Sequence, residues 1–286
     1  MAKKNKDGIL REQEHEYLRN YNPDKFERLS VAVDTVIFSV DTDLRNPNYR
    51  KLEKQKLTVL LVKRGSHPFW GYWSLPGGFV RADETLIQTA QRIIGSKTKL
   101  SNLYIEQLYT FSEPGRDPRM RVISCAYMAL IDRSSFKFEE TETLKWFELE
   151  VLAREGKLVL AAGDEHLEFG ITKEERQNGL IASCQYASEP GAALAFDHAD
   201  IILEALLRLR NKIEYTDLVF NLMPPEFSIT QLQQIYEIIL GHQLLAPAFR
   251  RKIAAKIEET GAYIKDKGHR PSRLFKYKCG SGRTMN

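Results

Sequence analysis

Residues 70–100 read WGYWSLPGGFVRADETLIQTAQRIIGSKTKL, and this stretch decides the fold. An aromatic cluster at a strand edge leads into a Gly-Gly turn and then into one amphipathic helix. Gly77 and Gly78 allow a tight turn where a side chain would clash. Asp83 is a good N-cap, and Glu84 sits in the first turn, where the helix dipole favours an anion. Leu86, Ile87, Ala90, Ile93 and Ile94 recur at helical spacing, so one face is apolar. Gly95 is expected to stop the helix.

The stretch resembles a Nudix box, in which a Gly is followed by a Glu, then an Arg-Glu pair, a Glu-Glu pair and a Gly. Gly78, Glu84 and Arg92 fall in register, as do the apolar Ile94 and Leu100. Ile93 replaces the Glu after the Arg, Ser96 and Lys97 replace the Glu-Glu pair, and Lys99 replaces the last Gly. The resemblance implies that those glutamates hold divalent cations and serve the attacking water. Splitting a diphosphate needs several carboxylates converging on a hard cation. Here Asp83 and Glu84 are followed by no further acid before the helix ends. At about 4–5 Å and an effective dielectric of about 20, a Lys97 ammonium would repel each unit charge on a metal by several kcal/mol. The expectation is a box that keeps its shape and has lost its metal. The alternative is a relocated site, with Glu84 joined by Glu139, Glu140 or Glu142.

The chain has 286 residues, enough for two domains, with 43% hydrophobic and 28% charged residues, as in an ordinary globular protein. No apolar run is long enough to cross a membrane, and the N-terminus lacks the apolar centre of a signal peptide. Cys125, Cys184 and Cys279 are scattered, which argues against zinc or a disulfide framework and fits a cytoplasmic protein. The net charge of +4 is uneven: residues 247–286 carry eleven Lys and Arg against three acids. All the excess positive charge therefore lies at that end, and suggests a polyanion partner there.

Residues 1–28 read as a polar arm with some helical character. LSVAVDTVIFSV (29–40) and KLTVLLVKRG (56–65) read as strands flanking a polar loop. Arg64 points toward the loop that carries Trp70 and Trp73. LYIEQLYTFSEP (103–114) and VISCAYMALI (122–131) read as further strands, and LKWFELEVL (144–152) as a turn and short helix. KLVLAA (157–162) and HLEFGI (166–171) suggest a hairpin. Residues 185–196 read as a connection, and 197–215 as a strong amphipathic helix with Ile201, Leu203, Ala205, Leu206 and Leu209 on its apolar side. Asp197 and His198 suit a pocket, or more plainly a helix N-cap and a surface histidine.

The run 107–131 narrows the resemblance to Nudix-related transcriptional regulators, the NrtR-like group. In that group a Nudix-like domain senses a sugar or nucleotide and a C-terminal winged helix binds DNA. The loop 115–121 holds Arg116, Arg119 and Arg121, whose guanidinium forks suit phosphate recognition, or else pair with nearby acids on a solvated loop. Trp70, Tyr72 and Trp73 offer stacking surfaces for a base or sugar, or simply core packing.

The C-terminal end agrees. Ser228 and Gln231 form a capping box at the start of FSITQLQQIYEIILG (227–241), with Leu232, Ile235, Tyr236 and Ile239 as its core face. A second helix is expected over 243–261, with Pro247 in its first turn and Phe249, Ile253 and Ile257 inward. Arg250, Arg251, Lys252 and Lys256 lie off that face. A basic second helix is the arrangement that enters a major groove. Residues 262–277 read as a two-stranded wing turning near Lys267–Gly268, with His269, Arg270, Arg273 and Lys276 able to reach phosphates.

The expected fold class is α/β: a Nudix-like α/β/α sandwich followed by a winged helix-turn-helix domain. The expected divisions are an arm at 1–27, a ligand-binding domain at 28–214, a DNA-binding domain at 215–278 and a tail at 279–286. The expected ligand residues are Arg64, Trp73, Gly78, Arg81, Glu84, Arg116, Arg119 and Arg121. The resemblance implies a DNA operator, a nucleotide-sugar or sugar effector, with ADP-ribose or another NAD metabolite favoured, and a homodimer. No cofactor is expected; magnesium enters only in the hydrolase alternative, with Glu84 as one ligand.

Overall fold

The computed structural model describes residues 12–42, 54–100, 103–135, 140–152, 154–176, 179–186, 194–264 and 272–278. The arm carries one helix, α1, over residues 12–20, and every described residue before Ser30 is exposed. Ten strands then form one mixed sheet. In chain order they are β1 (Ser30–Thr42), β2 (Gln55–Lys63), β3 (Trp73–Ser74), β4 (Gly77–Phe79), β5 (Tyr104–Phe111) and β6 (Val122–Leu130), followed by β7 (Leu144–Leu152), β8 (Lys157–Ala162), β9 (Glu165–Arg176) and β10 (Gly179–Tyr186). The order across the sheet is β10-β9-β8-β7-β2-β1-β6-β5, with β3 on β2 and β4 on β1. β1 and β6 run parallel, in register from Ser30↔Val122 to Phe38↔Leu130.

Helix α2 (Leu86–Thr98) covers one face and α3 (His198–Ile213) the other. β1 shows why both faces are apolar. Its Val33 and Ile37 pack with Ala90, Ile93 and Ile94 of α2, while Val36 and Phe38 pack in the core that holds α3. Side chains alternate along a strand, so Asp34 falls on the α3 face.

Several local expectations are corrected. Residues 144–152 form a strand, not a short helix: β7 is hydrogen-bonded to both β2 and β8. Two ladders override the helix preference of a Leu- and Glu-rich segment. α2 is capped by Thr85, not Asp83, through a capping box with Gln88, and it runs through Gly95 to a left-handed Lys99 at φ 58°. Gly77 and Gly78 lie in a strand paired with β1 rather than in a turn. β10 occupies part of the expected connection.

The C-terminal module is built as expected up to one boundary. Ser228 and Gln231 cap α4 (Ile229–Leu240), and Gly241 ends it in the left-handed region. α5 (Ala246–Ile253) carries its proline in the first turn. It is shorter than the sequence suggests, because Ile257 opens a strand, β11 (Ile257–Ile264), that pairs with β12 (Ser272–Tyr277). A bridge from Phe227 to Phe275 adds a third line to this ribbon. The turn near Lys267–Gly268 lies outside the described residues.

One apolar core runs through both modules, from Phe38 and Leu206 to Tyr236 and Phe249. Arg210, near the end of α3, donates from Nε to the carbonyl of Ile239 at 2.7 Å. Ile239 lies in the last turn of α4, where carbonyls lack helical partners and a cation is favoured. Tyr236 sits in this core against Phe249, and its hydroxyl has no hydrogen-bond partner among the described residues. Burial pushes the phenol up to about 12. An unpaired buried hydroxyl costs about 1–3 kcal/mol. Tyr236→Phe is therefore expected to raise the urea midpoint; a clear fall would show that the hydroxyl has a partner in solution.

Candidate functional site

The chemistry gathers where β1, the box loop and the start of α3 meet. Arg116 is the centre. Its Nε and Nη2 donate to Asp197 Oδ2 and Oδ1 at 2.8 and 2.6 Å, and Nη2 also reaches Asp34 Oδ2 at 3.3 Å. The Arg116 side chain is only 4% exposed. Ser124, beside Asp34 on β6, donates its hydroxyl to Asp34 Oδ2 at 2.6 Å. The Leu75 amide donates to His198 Nδ1 at 2.9 Å, so the ring proton sits on Nε2, 3.5 Å from Asp34 Oδ1.

Burial alone would raise the Asp34 pKa. His198 leads the opposing effects, followed by Ser124 and Arg116, and together they hold the carboxyl well below its usual range. Burial likewise works against the Arg116 charge, and Asp197 and Asp34 outweigh it. A Cβ on Gly77 would lie 2.2 Å from Asp34 Oδ1, so the close approach of β4 requires glycine there. Gly78 has no such contact below 3.9 Å.

Asp34, Leu75, Gly77, Arg116 and His198 wall a cavity of about 320 Å³, whose lining also includes Lys63, Arg64, Gly78, Lys97, Arg119 and Phe196. Arg64 donates from Nε to the Pro68 carbonyl at 2.8 Å and stacks over Phe196 at 4.8 Å. Burial and then Arg119 push its guanidinium below the ordinary value. Arg119 is held by Asp117, whose carboxyl it lowers. A second cavity of about 460 Å³ shares Arg116 and Phe196 and adds Phe69 and Tyr72.

Four expected ligand residues line the first cavity: Arg64, Gly78, Arg116 and Arg119. Trp73 does not; it is 2% exposed and packs on Phe147 at 4.8 Å. Trp70 is exposed beside His67. Arg81 and Arg121 lie outside the lining. Glu84 does too, because Arg92 holds it at 2.6 and 2.8 Å and Thr89 donates to it at 3.0 Å. Sequence reasoning left out Asp34, although a lone acid inside the apolar run VAVDTVIF is a visible signal. It raised Asp197 and His198 but favoured a cap and a surface histidine. Asp197 makes no side-chain cap bond, and His198 is buried.

Among the described residues, two of the acids expected to hold a divalent cation are engaged elsewhere. Glu84 is taken up by Arg92, Glu140 is paired with Arg133 at 3.1 Å, and Glu139 lies outside the described residues. Among the described residues no three His, Cys, Asp or Glu gather as a metal group.

At the other end, Arg250, Arg251 and Lys252 are exposed on α5. Phe249 and Ile253 seat that helix in the core. Lys256 lies beyond the helix and is paired with Asp217 at 2.7 Å, so its charge is engaged inside the module. Arg273 and Lys276 are exposed on β12 and pair across the ribbon with Glu259 and Glu258 at 3.1 and 3.0 Å. Such surface pairs hold by about 0–1 kcal/mol and exchange readily for phosphates. His269 and Arg270 lie outside the described residues.

Comparison with known proteins matches the NUDIX domain family over residues 49–166 and the NrtR DNA-binding winged helix domain over 219–277. The ADPR responsive transcriptional repressor NtrR of Acinetobacter baylyi is 32% identical over 270 residues, which cover 92% of this chain and 88% of the relative. The chain belongs to the NrtR family. NrtR of Shewanella oneidensis, solved with a 27mer DNA, superimposes with a TM-score of 0.62 at 29% identity, over 87% of this chain and 93% of that one. A MutT/nudix family protein from Enterococcus faecalis gives 0.68 at 26% identity, over 94% and 93%. Both likenesses span the sheet and the C-terminal module, so the NrtR architecture extends through nearly the whole chain. No described helix is long and apolar enough to cross a membrane.

The Glu84–Arg92 pair has a pH signature. Arg92 first, and Thr89 after it, bring Glu84 from the ordinary 4.5 down to about 2 against the opposing effect of burial. A depressed carboxylate adds stability that is present above its unfolded pKa and lost as pH falls through the folded one. Between pH 4.5 and 2 the wild type should lose stability more steeply than Glu84→Gln. Denaturant midpoints against pH measure this, and parallel curves would remove the pair as a source of acid sensitivity.

Proposed function

We propose that the protein is a transcriptional repressor whose operator binding responds to ADP-ribose. The observation that carries this reading is a cationic cavity and an exposed basic helix joined by one continuous core. A cavity walled by arginines and lysines suits a diphosphate. The adjoining chamber offers Phe69, Tyr72 and Phe196 to a base or sugar. The name of the Acinetobacter baylyi relative supports ADP-ribose as the effector.

Arg64, Gly78, Arg116 and Arg119 are assigned to the ligand side. Arg250, Arg251 and Lys252 are assigned to the DNA side, with Arg273 and Lys276 on the wing. Residues 28–214 are taken as the ligand domain and 215–278 as the DNA-binding domain. The box holds no resident metal in this reading, and the protein does not hydrolyse its effector. A homodimer would set two α5 helices on a two-fold symmetric operator. The cytoplasm is the compartment that holds both DNA and nucleotide sugars.

Differential affinity is the only means by which the effector can act. α3 is placed to carry it. Its first residues, Asp197 and His198, wall the ligand site, and its Arg210 holds the end of α4.

The test is fluorescence anisotropy on labelled DNA from upstream of the neighbouring genes, with and without ADP-ribose, and with AMP assayed in the same samples. Specific binding that ADP-ribose changes, with no AMP formed, is expected. Steady AMP production without specific binding would establish a hydrolase instead. Arg251→Ala should weaken operator binding by about 1–3 kcal/mol if it reads a base, with effector affinity unchanged. Undiminished operator affinity would remove α5 as the reading helix.

A further inference from the structure

The cations around the first cavity fall into two groups. Lys63, Arg116 and Arg119 each have a carboxylate partner: Glu165 at 3.2 Å, Asp197 at 2.6 Å and Asp117 at 2.8 Å. Arg64 and Lys97 line the same cavity and make no ion pair among the described residues. Lys97 stands in the last turn of α2, half-buried. A lysine there suits the helix dipole, but that alone does not account for an ammonium with no ion pair among the described residues on the wall of a cavity that Arg64 also lines.

We infer that Arg64 and Lys97 together form a metal-free receptor for the diphosphate group, with Lys97 supplying the positive charge that a divalent cation would otherwise bring. This rests on the effector reading above and names the chemistry that the site recognises. Two positive charges without a carboxylate partner among the described residues match the two negative charges of a diphosphate diester. The same replacement accounts for the missing acids. A lysine binds phosphate without polarising a water, so the diphosphate is held and left intact. Affinity for the effector is therefore independent of divalent ions.

Calorimetric titration of the full-length protein with ADP-ribose, and separately with inorganic pyrophosphate, in EDTA and in Mg²⁺, tests this. The wild type should bind ADP-ribose equally well in both buffers. Lys97→Met should weaken both ligands by about ten- to a hundredfold, the loss of a charged hydrogen bond. Lys97→Arg should restore most of that affinity. Thermal melts report that each variant folds. Affinity for ADP-ribose that disappears in EDTA, or that Lys97→Met leaves unchanged, overturns the inference. Pyrophosphate binding that depends on Lys97 while ADP-ribose is ignored would uphold the receptor and overturn the effector reading. Neither ligand binding in either buffer would overturn both.

Discussion

The buried Arg116 fork holds the ligand half of the molecule in its shape. It ties a loop to the first strand through Asp34 and to the start of α3 through Asp197. Removing one partner from such a pair costs about 3–5 kcal/mol, because the other charge stays behind in a dry site. The arrangement is weak evidence for net stability and strong evidence for position. With Ser124 and His198 completing the coordination of Asp34, three distant stretches of chain are held to one point: β1, the loop that runs into β6, and the start of α3. Gly77 is part of the same constraint, since any side chain there would enter the carboxylate.

From that point α3 leads to the other module, which also packs directly on β2. α3 starts at the fork, crosses the α3 face of the sheet and ends on α4. Lys212 and Arg208 pin it to Glu106 of β5, and Arg210 reaches the last turn of α4. Gly241 follows at once, and its φ of 78° sets the turn into α5. A shift at the head of α3 has no slack segment in which to dissipate. Close-packed interiors transmit displacement for that reason. The second attachment, through Lys256 and Tyr277 to Asp217, fixes the ribbon against the same end of the molecule.

The parts of this design written in local chemistry were legible in the sequence. The Ser228–Gln231 box, the glycine that ends α4, the proline in α5 and the apolar side of α3 are short-range signals, and the structure repeats them. The misread segments are those where a long-range ladder decides. Nothing local in LKWFELEVL announces two flanking strands. Phe249, Ile253 and Ile257 are four apart, a spacing that serves a helix and, from Ile253 to Ile257, the entry to a strand equally well. Thr85 and Gln88 formed a second capping box that the more acidic Asp83 obscured. Arg116 could be singled out from its loop, but its partners lie 81 and 82 residues away, and only the folded sheet brings them together.

The degenerate box shows how far shape and chemistry separate. Its apolar positions are kept, since Ile94 still seats α2 on the sheet and Leu100 packs against the same cluster. Its left-handed end is kept as well, with Lys99 in the conformation that glycine enters freely. A left-handed L-residue costs about 1–2 kcal/mol, so the backbone path of the box is retained against its own side chain. What has changed is the charge: Glu84 is turned to Arg92, Ser96 donates to the Ile93 carbonyl at 2.7 Å, and Lys97 lines the cavity. Packing fixes the scaffold and only a few polar atoms fix the reaction. A binding site can thus be kept on this scaffold while the acids that would cut its ligand are replaced.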